Sequence, residues 1–354
     1  MNASYQVVII GASQAGLVMG YYLNRCGVSY VIVGKEERIG DVWRNRYDSL
    51  VLFTPRWINR LPGRNHLDNL DPGGYADKDE IADELERYAS EHLLNVRMNT
   101  LVTKLTRETG GFVVETNKGN LTASHVVIAT GPFQQPSIPD FASQLSAEDV
   151  FQVHTAHYRN ADQLQDGDVL IVGCGNSGAQ IAMELSRQGR AVFISGSGAM
   201  KCVPREIGGE SIFWWFEKLG LYKAHIATRI GKKLSKRGDP IIGTELKSFI
   251  KRKTITVYPR AAQASHDTII FNDGTHHKAR NVIWATGYKS DYSWIDIPDA
   301  INEHEKPNHI RGVSQVNGLF FLGLPWQHNR GSALIGGVAA DAEYIMNRIL
   351  KSIE

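Results

Sequence analysis

Two stretches of the chain share one design, and that duplication restricts the fold more than any other feature. "YQVVIIGASQAGLVMGYYL" runs from Tyr5 to Leu23 and "VLIVGCGNSGAQIA" from Val169 to Ala182. Each reads as a buried apolar strand, a glycine-rich turn and the opening turns of a helix. The second carries the full G-x-G-x-x-G spacing on Gly173, Gly175 and Gly178. The first keeps Gly11 and Gly16 but has Ser13 at the middle position, where a side chain needs more room beside a phosphate. A strand follows each helix, "VSYVIVG" in the first unit and "AVFIS", ending at Ser195, in the second, so both units are βαβ. The expected fold is therefore α/β, with two Rossmann-like dinucleotide-binding domains. The larger would hold residues 1–160 and 288–354, and the smaller, inserted one 161–287.

Other segments fit this plan. Asp79 to Leu93 shows apolar Ile81, Leu85 and Tyr88 at helical spacing. The stretch from Asn95 to Gly131 reads as short strands, with a hairpin turn around Asn117 to Asn120. It ends in "ATG" at Ala129, Thr130 and Gly131, and the same triplet recurs at Ala285, Thr286 and Gly287. A small Ala-Thr-Gly end lets the chain turn tightly beside a cofactor or a domain hinge.

Bulk properties exclude several classes. A length of 354 residues suits two domains, and a net charge of +2 gives no global reason for a nucleic-acid partner. The N-terminus enters a strand at once, without the features of a signal peptide, and the apolar runs are too short to span a bilayer. A cytoplasmic protein without transmembrane segments is expected. Cys26, Cys174 and Cys202 form no C-x-x-C, so neither a disulfide framework nor a redox dithiol is supported. No metal is expected, because His154 has no second ligand at ligand spacing. The basic segment between Lys223 and Lys253 reads as a solvated face in preference to an anionic partner or a membrane surface.

Free backbone N–H groups and a helix N-terminus suit a pyrophosphate. Two such sites in one chain point to an electron-transfer pair, a flavin (FAD) and a nicotinamide (NADPH or NADH). Without a dithiol, the electrons go to dioxygen, with or without oxygen insertion, or to another small acceptor.

Further stretches carry a resemblance. "IGDVWRNRYDSLVLFTP", Ile39 to Pro55, resembles the G-D/G-x-W turn and arm of flavin-containing monooxygenases. "VFQVHTAHYRN" is similar to a variant of their linker, and "VPRE" and "ATGYKSDYSWI" are similar to pieces of their nicotinamide domain. "GLFFLGLPWQHNRGSALIGGVAADA" resembles a compact bacterial branch often described as flavoproteins linked to potassium transport. The ordered set spans the chain and resembles the class B flavin-containing monooxygenases. It implies that NAD(P)H reduces FAD, that dioxygen adds at flavin C4a, and that a soft nucleophile such as a sulfide, ketone or amine is oxygenated. The alternatives are an NAD(P)H oxidase or reductase without insertion, and a flavoprotein regulator of ion transport. The family's flavin-side asparagine, in a T-N-x-P stretch after the arm, has no counterpart in "LFTPRW".

The site residues follow. Gly11, Ser13, Gln14, Ala15 and Gly16 are expected at the FAD pyrophosphate, and Lys35 and Glu36 at the adenosine ribose. Gly40, Asp41, Val42 and Trp43 supply the turn, while Arg46, Leu52 and Thr54 reach the ring. Val102 would meet the adenine through backbone atoms, with Ala129, Thr130, Gly131, Leu324 and Leu334 completing the flavin site. Gln327 and His328 sit in a polar break facing the isoalloxazine and, with Thr54, form the candidate catalytic set. The nicotinamide site draws on Gly173, Gly175, Asn176, Ser177, Gly178, Ser195, Gly196, Ser197, Arg205, Ala285, Thr286 and Gly287. No arginine directly follows the strand ending at Ser195, which predicts relaxed NADH/NADPH specificity. A small-molecule substrate and dioxygen are the expected partners, and a homodimer is expected on commonness alone.

Overall fold

The computed structural model describes residues 3–63, 70–196 and 200–353. The strand Ala3–Ile10 lies between two parallel neighbours, Tyr30–Val33 and Leu121–Ile128. Val96–Arg97 extends this parallel set on one side and Leu319–Phe321 on the other. The hairpin Val102–Glu108 and Gly111–Thr116 joins antiparallel to the first half of Leu121–Ile128, and the second turn, between Gly111–Thr116 and Leu121–Ile128, spans residues 117–120 as the sequence predicts. One face of the sheet is covered by the helices Gln14–Arg25, Lys78–Glu91 and Ala339–Ile353, whose apolar stripes close the main core. Tyr292, Ile295 and Ile297 pack with the hairpin in a second cluster. The helix Lys78–Glu91 starts at a reciprocal cap. The Asp77 carboxylate accepts from the amides of Asp79 and Glu80, and Glu80 accepts from the Asp77 amide.

The second sheet has five parallel strands, in the order Phe151–His154, Asn281–Trp284, Val169–Val172, Val192–Ser195 and Ile255–Tyr258. The helix Asn176–Arg187 covers one face. An antiparallel meander from Ala261 to Lys278 covers the other. The structure therefore moves one expected boundary. Phe151–His154, assigned to the first domain by a break at 160, pairs with Asn281–Trp284 in the second sheet. The actual crossings follow the two Ala-Thr-Gly triplets, where Gln135–Pro136 and Tyr288–Lys289 pair antiparallel.

Between Ser195 and Ile255 the chain leaves the second sheet for an excursion of short helices, Ile212–Lys218, Arg229–Ser235 and Glu245–Lys251. Among the described residues, no helix is long and apolar enough to cross a membrane.

Candidate active site

The two glycine turns are superimposable in their local logic. Gly11 has φ +117°, and a Cβ there would stand 2.4 Å from the Ala129 carbonyl oxygen. Gly173 has φ +114°, and a Cβ there would stand 2.2 Å from the Ala285 oxygen. The first alanine of each Ala-Thr-Gly triplet thus lies against the first glycine of each turn, which explains why the triplet recurs. The third glycine is equally constrained: a Cβ on Gly16 would lie 1.8 Å from Gly11 O, and one on Gly178 2.2 Å from Gly173 O. These contacts press each helix N-terminus onto its strand.

The middle position obeys a different rule. Gly175 has φ −77° and caps the second helix, and a Cβ on it would meet nothing within 4 Å. Ser13 caps the first helix with φ −103°, and its hydroxyl donates to Gln14 Oε1 at 2.6 Å. The backbone here never needs glycine, so serine is accommodated with its side chain turned aside. The open space at Gly175 and the first-turn amides, which have no intrahelical partner, form a cradle whose helix N-terminus suits an anion.

Side chains tie the crossovers between the sheets. Gln134 Nε2 donates to Thr130 Oγ1 (3.0 Å) and Gly131 O (2.8 Å), and its Oε1 accepts from the Asp291 amide (2.8 Å). His154 is buried, and its Nδ1 accepts from the Ala156 amide at 3.0 Å. Its proton therefore sits on Nε2, which donates to Gly287 O at 2.9 Å. Burial holds the His154 pKa below its usual value, consistent with this neutral tautomer. Arg46 donates to the Tyr288 hydroxyl and lies over the Phe133 and Tyr288 rings. Farther along the arm, Tyr47 donates to Gln180 Oε1, Ser49 pairs with Glu184, and Gln180 Nε2 reaches Val51 O. The arm thus rests on the second glycine helix, and burial pushes the Tyr47 hydroxyl up to about 12.

At the end of the arm, Thr54 Oγ1 donates to Asn59 Oδ1 at 2.9 Å, and Asn59 Nδ2 returns to Thr54 O at 3.2 Å. Both side chains are buried. Phe53 of the arm and Trp57 and Ile58 of the turn that follows it pack with Ile212, Phe213, Phe216, Tyr222 and Ile242 of the excursion, an apolar cover between the domains.

Several expected site residues have other duties here. The Asp41 carboxylate accepts from the Arg38 amide (2.9 Å) and faces Arg44, while Gly40, at φ +90°, is required by close approach to Ala82 O. Leu52 and Leu324 are core residues, and Trp43 packs partly into the main core with its Nε1 unpartnered. Val42 is exposed, Leu334 is half-buried, and Val102 pairs with Thr116 in the hairpin. The Thr130 and Thr286 hydroxyls serve the crossovers, Thr286 donating to Ser137 O. Asn176 holds the segment 240–242, donating to Pro240 O and accepting from the Ile242 amide. Ser195 is fully buried and bonded to Pro259 O (2.6 Å) and the Ala261 amide (3.0 Å), so its hydroxyl cannot reach a ribose. Gly196 lies against Cys174, and Ser197 falls outside the described residues. Lys35 is exposed and Glu36 half-buried at the end of the second strand, while Ser177 lies in the first turn of the second helix. Arg205 lies 4.9 Å over the Tyr75 ring with its Nε unpartnered.

The expected catalytic pair also has partners within the protein. Gln327 is 4% exposed; its Oε1 accepts from the Leu324 amide and its unpartnered Nε2 lies against Gly312. Its polar neighbours in sequence suggest an exposed turn, but the turn folds its amide inward. His328 leans toward the buried Asp341 (3.8 Å) and meets His225 of the excursion edge-on, at 4.6 Å between ring centroids. Burial is the main cause that lowers its pKa, with Arg311 adding to the effect. Asp341 and Asn59 escaped the sequence reading. Asp341 had a visible signal, since it shares a helical stripe with Ile345 and Ile349. Asn59 had none.

Two cradles of one build, each at a parallel sheet and joined by tied crossovers, define a two-dinucleotide oxidoreductase. Comparison with known proteins agrees. Residues 8–202 match the family described as pyridine nucleotide-disulphide oxidoreductase. A CzcO-like oxidoreductase of Geobacillus kaustophilus is 57% identical over 350 residues, covering 99% of both chains. The probable indole-3-pyruvate monooxygenase YUCCA3 of Arabidopsis thaliana is 28% identical, over 92% of this chain and 84% of its own. In fold, the chain matches a flavin-containing monooxygenase from Stenotrophomonas maltophilia with a TM-score of 0.83 at 24% identity, covering 99% of this chain and 100% of that one. The chain belongs to the pyridine nucleotide-disulphide oxidoreductase family, as an enzyme that uses FAD and a nicotinamide nucleotide.

Proposed function

We propose that the chain is an FAD-dependent NAD(P)H monooxygenase, with FAD on the Gly11–Gly16 cradle and the nicotinamide nucleotide on the Gly173–Gly178 cradle. Its substrate is a small soft nucleophile, a sulfide first, with ketones and amines as further candidates. The carrying observation is the pair of cradles without a dithiol. Cys26 caps the far end of the first helix, and Cys174 and Cys202 both belong to the second domain. A disulfide relay has no thiol pair beside the first cradle, so the electrons go to dioxygen or another small acceptor, and this reading takes dioxygen. Bound FAD would supply hydride acceptance and dioxygen activation. The chain's own part is to bind both pyrophosphates on helix N-termini, hold the crossovers through Gln134 and His154, and exclude water with the aromatic cover. The enzyme works in the cytoplasm in this reading, and a homodimer is its expected assembly.

One observation favours a second reading, an oxidase that releases peroxide. The Thr54 hydroxyl and the Gln327 amide oxygen are both committed to internal hydrogen bonds. Oxygenated product and hydrogen peroxide formed per NADPH consumed, with a panel of thioethers, decide between the two. Stoichiometric peroxide without sulfoxide would overturn the monooxygenase reading. Because Ser195 is buried and no arginine directly follows it, NADH and NADPH should give kcat/KM values within about tenfold of each other. A preference of several hundred-fold, on the order of 3 kcal/mol, would refute that point.

A further inference from the structure

The excursion between Ser195 and Ile255 concentrates charge that the two-cradle chemistry does not use. From Lys218 to Arg237 the chain has seven basic residues (Lys218, Lys223, Arg229, Lys232, Lys233, Lys236 and Arg237) and no Asp or Glu. All seven are exposed. Among the described residues, none of them pairs with a carboxylate within salt-bridge distance. The whole chain carries only +2, so the other 334 residues sum to −5. Charge is thus segregated onto one short segment, where unpaired like charges repel unless an anionic surface meets them.

The same segment exposes apolar groups. Leu219 is 66% and Ile230 58% exposed, and Ile207 projects nearby in sequence at 43%. Trp214 and Trp215 are half-exposed, with Lys218 Nζ 5.3 Å over the Trp214 ring. Basic side chains beside exposed aliphatic and indole groups satisfy both halves of interfacial lipid recognition, headgroup attraction and shallow apolar insertion. A nucleic acid would use the charges but gain little from Leu219 and Ile230. With no helix long enough to span a bilayer among the described residues, attachment would be peripheral.

We propose that Lys218–Arg237 is a docking surface for an anionic phospholipid bilayer. It places the domain-covering excursion at the membrane surface while the cradles stay in water. The test is co-sedimentation of the FAD-loaded full chain with phosphatidylcholine vesicles containing or lacking phosphatidylglycerol, at low and high salt. Wild type should bind anionic vesicles at least about tenfold more tightly than neutral ones, and salt should release it. The charge reversal K232E/K233E/K236E/R237E should abolish the preference. L219S/I230S should weaken binding severalfold, with the NADPH oxidation rate in vesicle-free buffer and the FAD content unchanged in both variants. Equal binding to both vesicle types overturns the proposal, as does an unaltered preference in the charge-reversed protein. Tighter binding to a DNA duplex than to anionic vesicles, insensitive to L219S/I230S, assigns the surface to nucleic acid instead and overturns it as well.

Discussion

The paired substitutions Gly173→Ala and Gly175→Ala separate the two duties of a glycine cradle within one turn. At Gly173 the backbone sits at φ +114°, and the new methyl would lie 2.2 Å from the Ala285 carbonyl oxygen and 2.7 Å from its carbon. Positive φ costs an alanine about 1–3 kcal/mol. The clash is with backbone at the end of a central strand, so relief requires moving that strand, at about 1–3 kcal/mol more. The expected loss is ~2–6 kcal/mol for the second domain, a Tm shift of about 4–24 °C at ~2–4 °C per kcal/mol. At Gly175 the φ is −77° and nothing lies within 4 Å, so alanine should leave Tm within about 2 °C. Its methyl instead occupies the space meant for a pyrophosphate, and the NADPH Kd should rise at least about tenfold. Thermal unfolding by far-UV circular dichroism reads the first effect, and anaerobic NADPH titration of the flavin absorbance the second. The reasoning fails if Gly175→Ala destabilises as much as Gly173→Ala. It fails equally if Gly173→Ala costs under about 1 kcal/mol, since the Ala285 contact would then not be close packing.

Other outcomes follow from the tied groups. Thr54→Val strands Asn59 Oδ1 in a buried site and should cost about 1–3 kcal/mol in urea unfolding. If Thr54–Asn59 also shapes the flavin side, the same variant raises peroxide per NADPH. Asp341 is 1% exposed and lies 3.3 Å from Arg311 Nε, so Asp341→Ala should cost ~1–4 kcal/mol by urea unfolding, with Arg311's partial exposure softening the loss. Burial holds His125, His154 and His309 below their usual pKa. In the window between those lowered values and the unfolded value of about 6.5, the unfolded chain binds more protons. Their stability contribution is complete above that window and is lost as pH falls through it. Urea unfolding at about pH 7.5 and about pH 5.5 should show the decline, and His154→Gln, which keeps a donor for Gly287 O, should flatten it. An unchanged slope would remove His154 from this account.

Much of the architecture was legible because it rests on local pattern. Strand–glycine–helix units announce themselves by apolar runs and glycine spacing. The repeated Ala-Thr-Gly was visible as a repeat, although only the structure explains it, as the backbone against which Gly11 and Gly173 turn. The hairpin at residues 117–120 and the helix Lys78–Glu91 likewise follow from short-range sequence. The domain boundary was misplaced because Phe151–His154 is too short to declare its sheet; its partner, Asn281–Trp284, lies about 130 residues away.

Side-chain assignments at the site were the least legible. Ser195, Asn176, Asp41 and Gln327 occupy positions where a polar residue suggests a ligand, yet each is bonded within the protein: Asp41 and Gln327 to the amides of Arg38 and Leu324, three residues back, and Ser195 and Asn176 to groups brought in from elsewhere. Ser195 needs Pro259 and Ala261, Asn176 needs residues 240–242, and none of these is near in sequence. The sequence by itself therefore determined the two cradles, since a glycine at positive φ or at backbone contact is a local demand written in residue type. Tertiary structure decided which polar atoms remain available at Ser195 and Asn176, because a hydrogen bond is allocated by whichever group folding brings within about 3 Å.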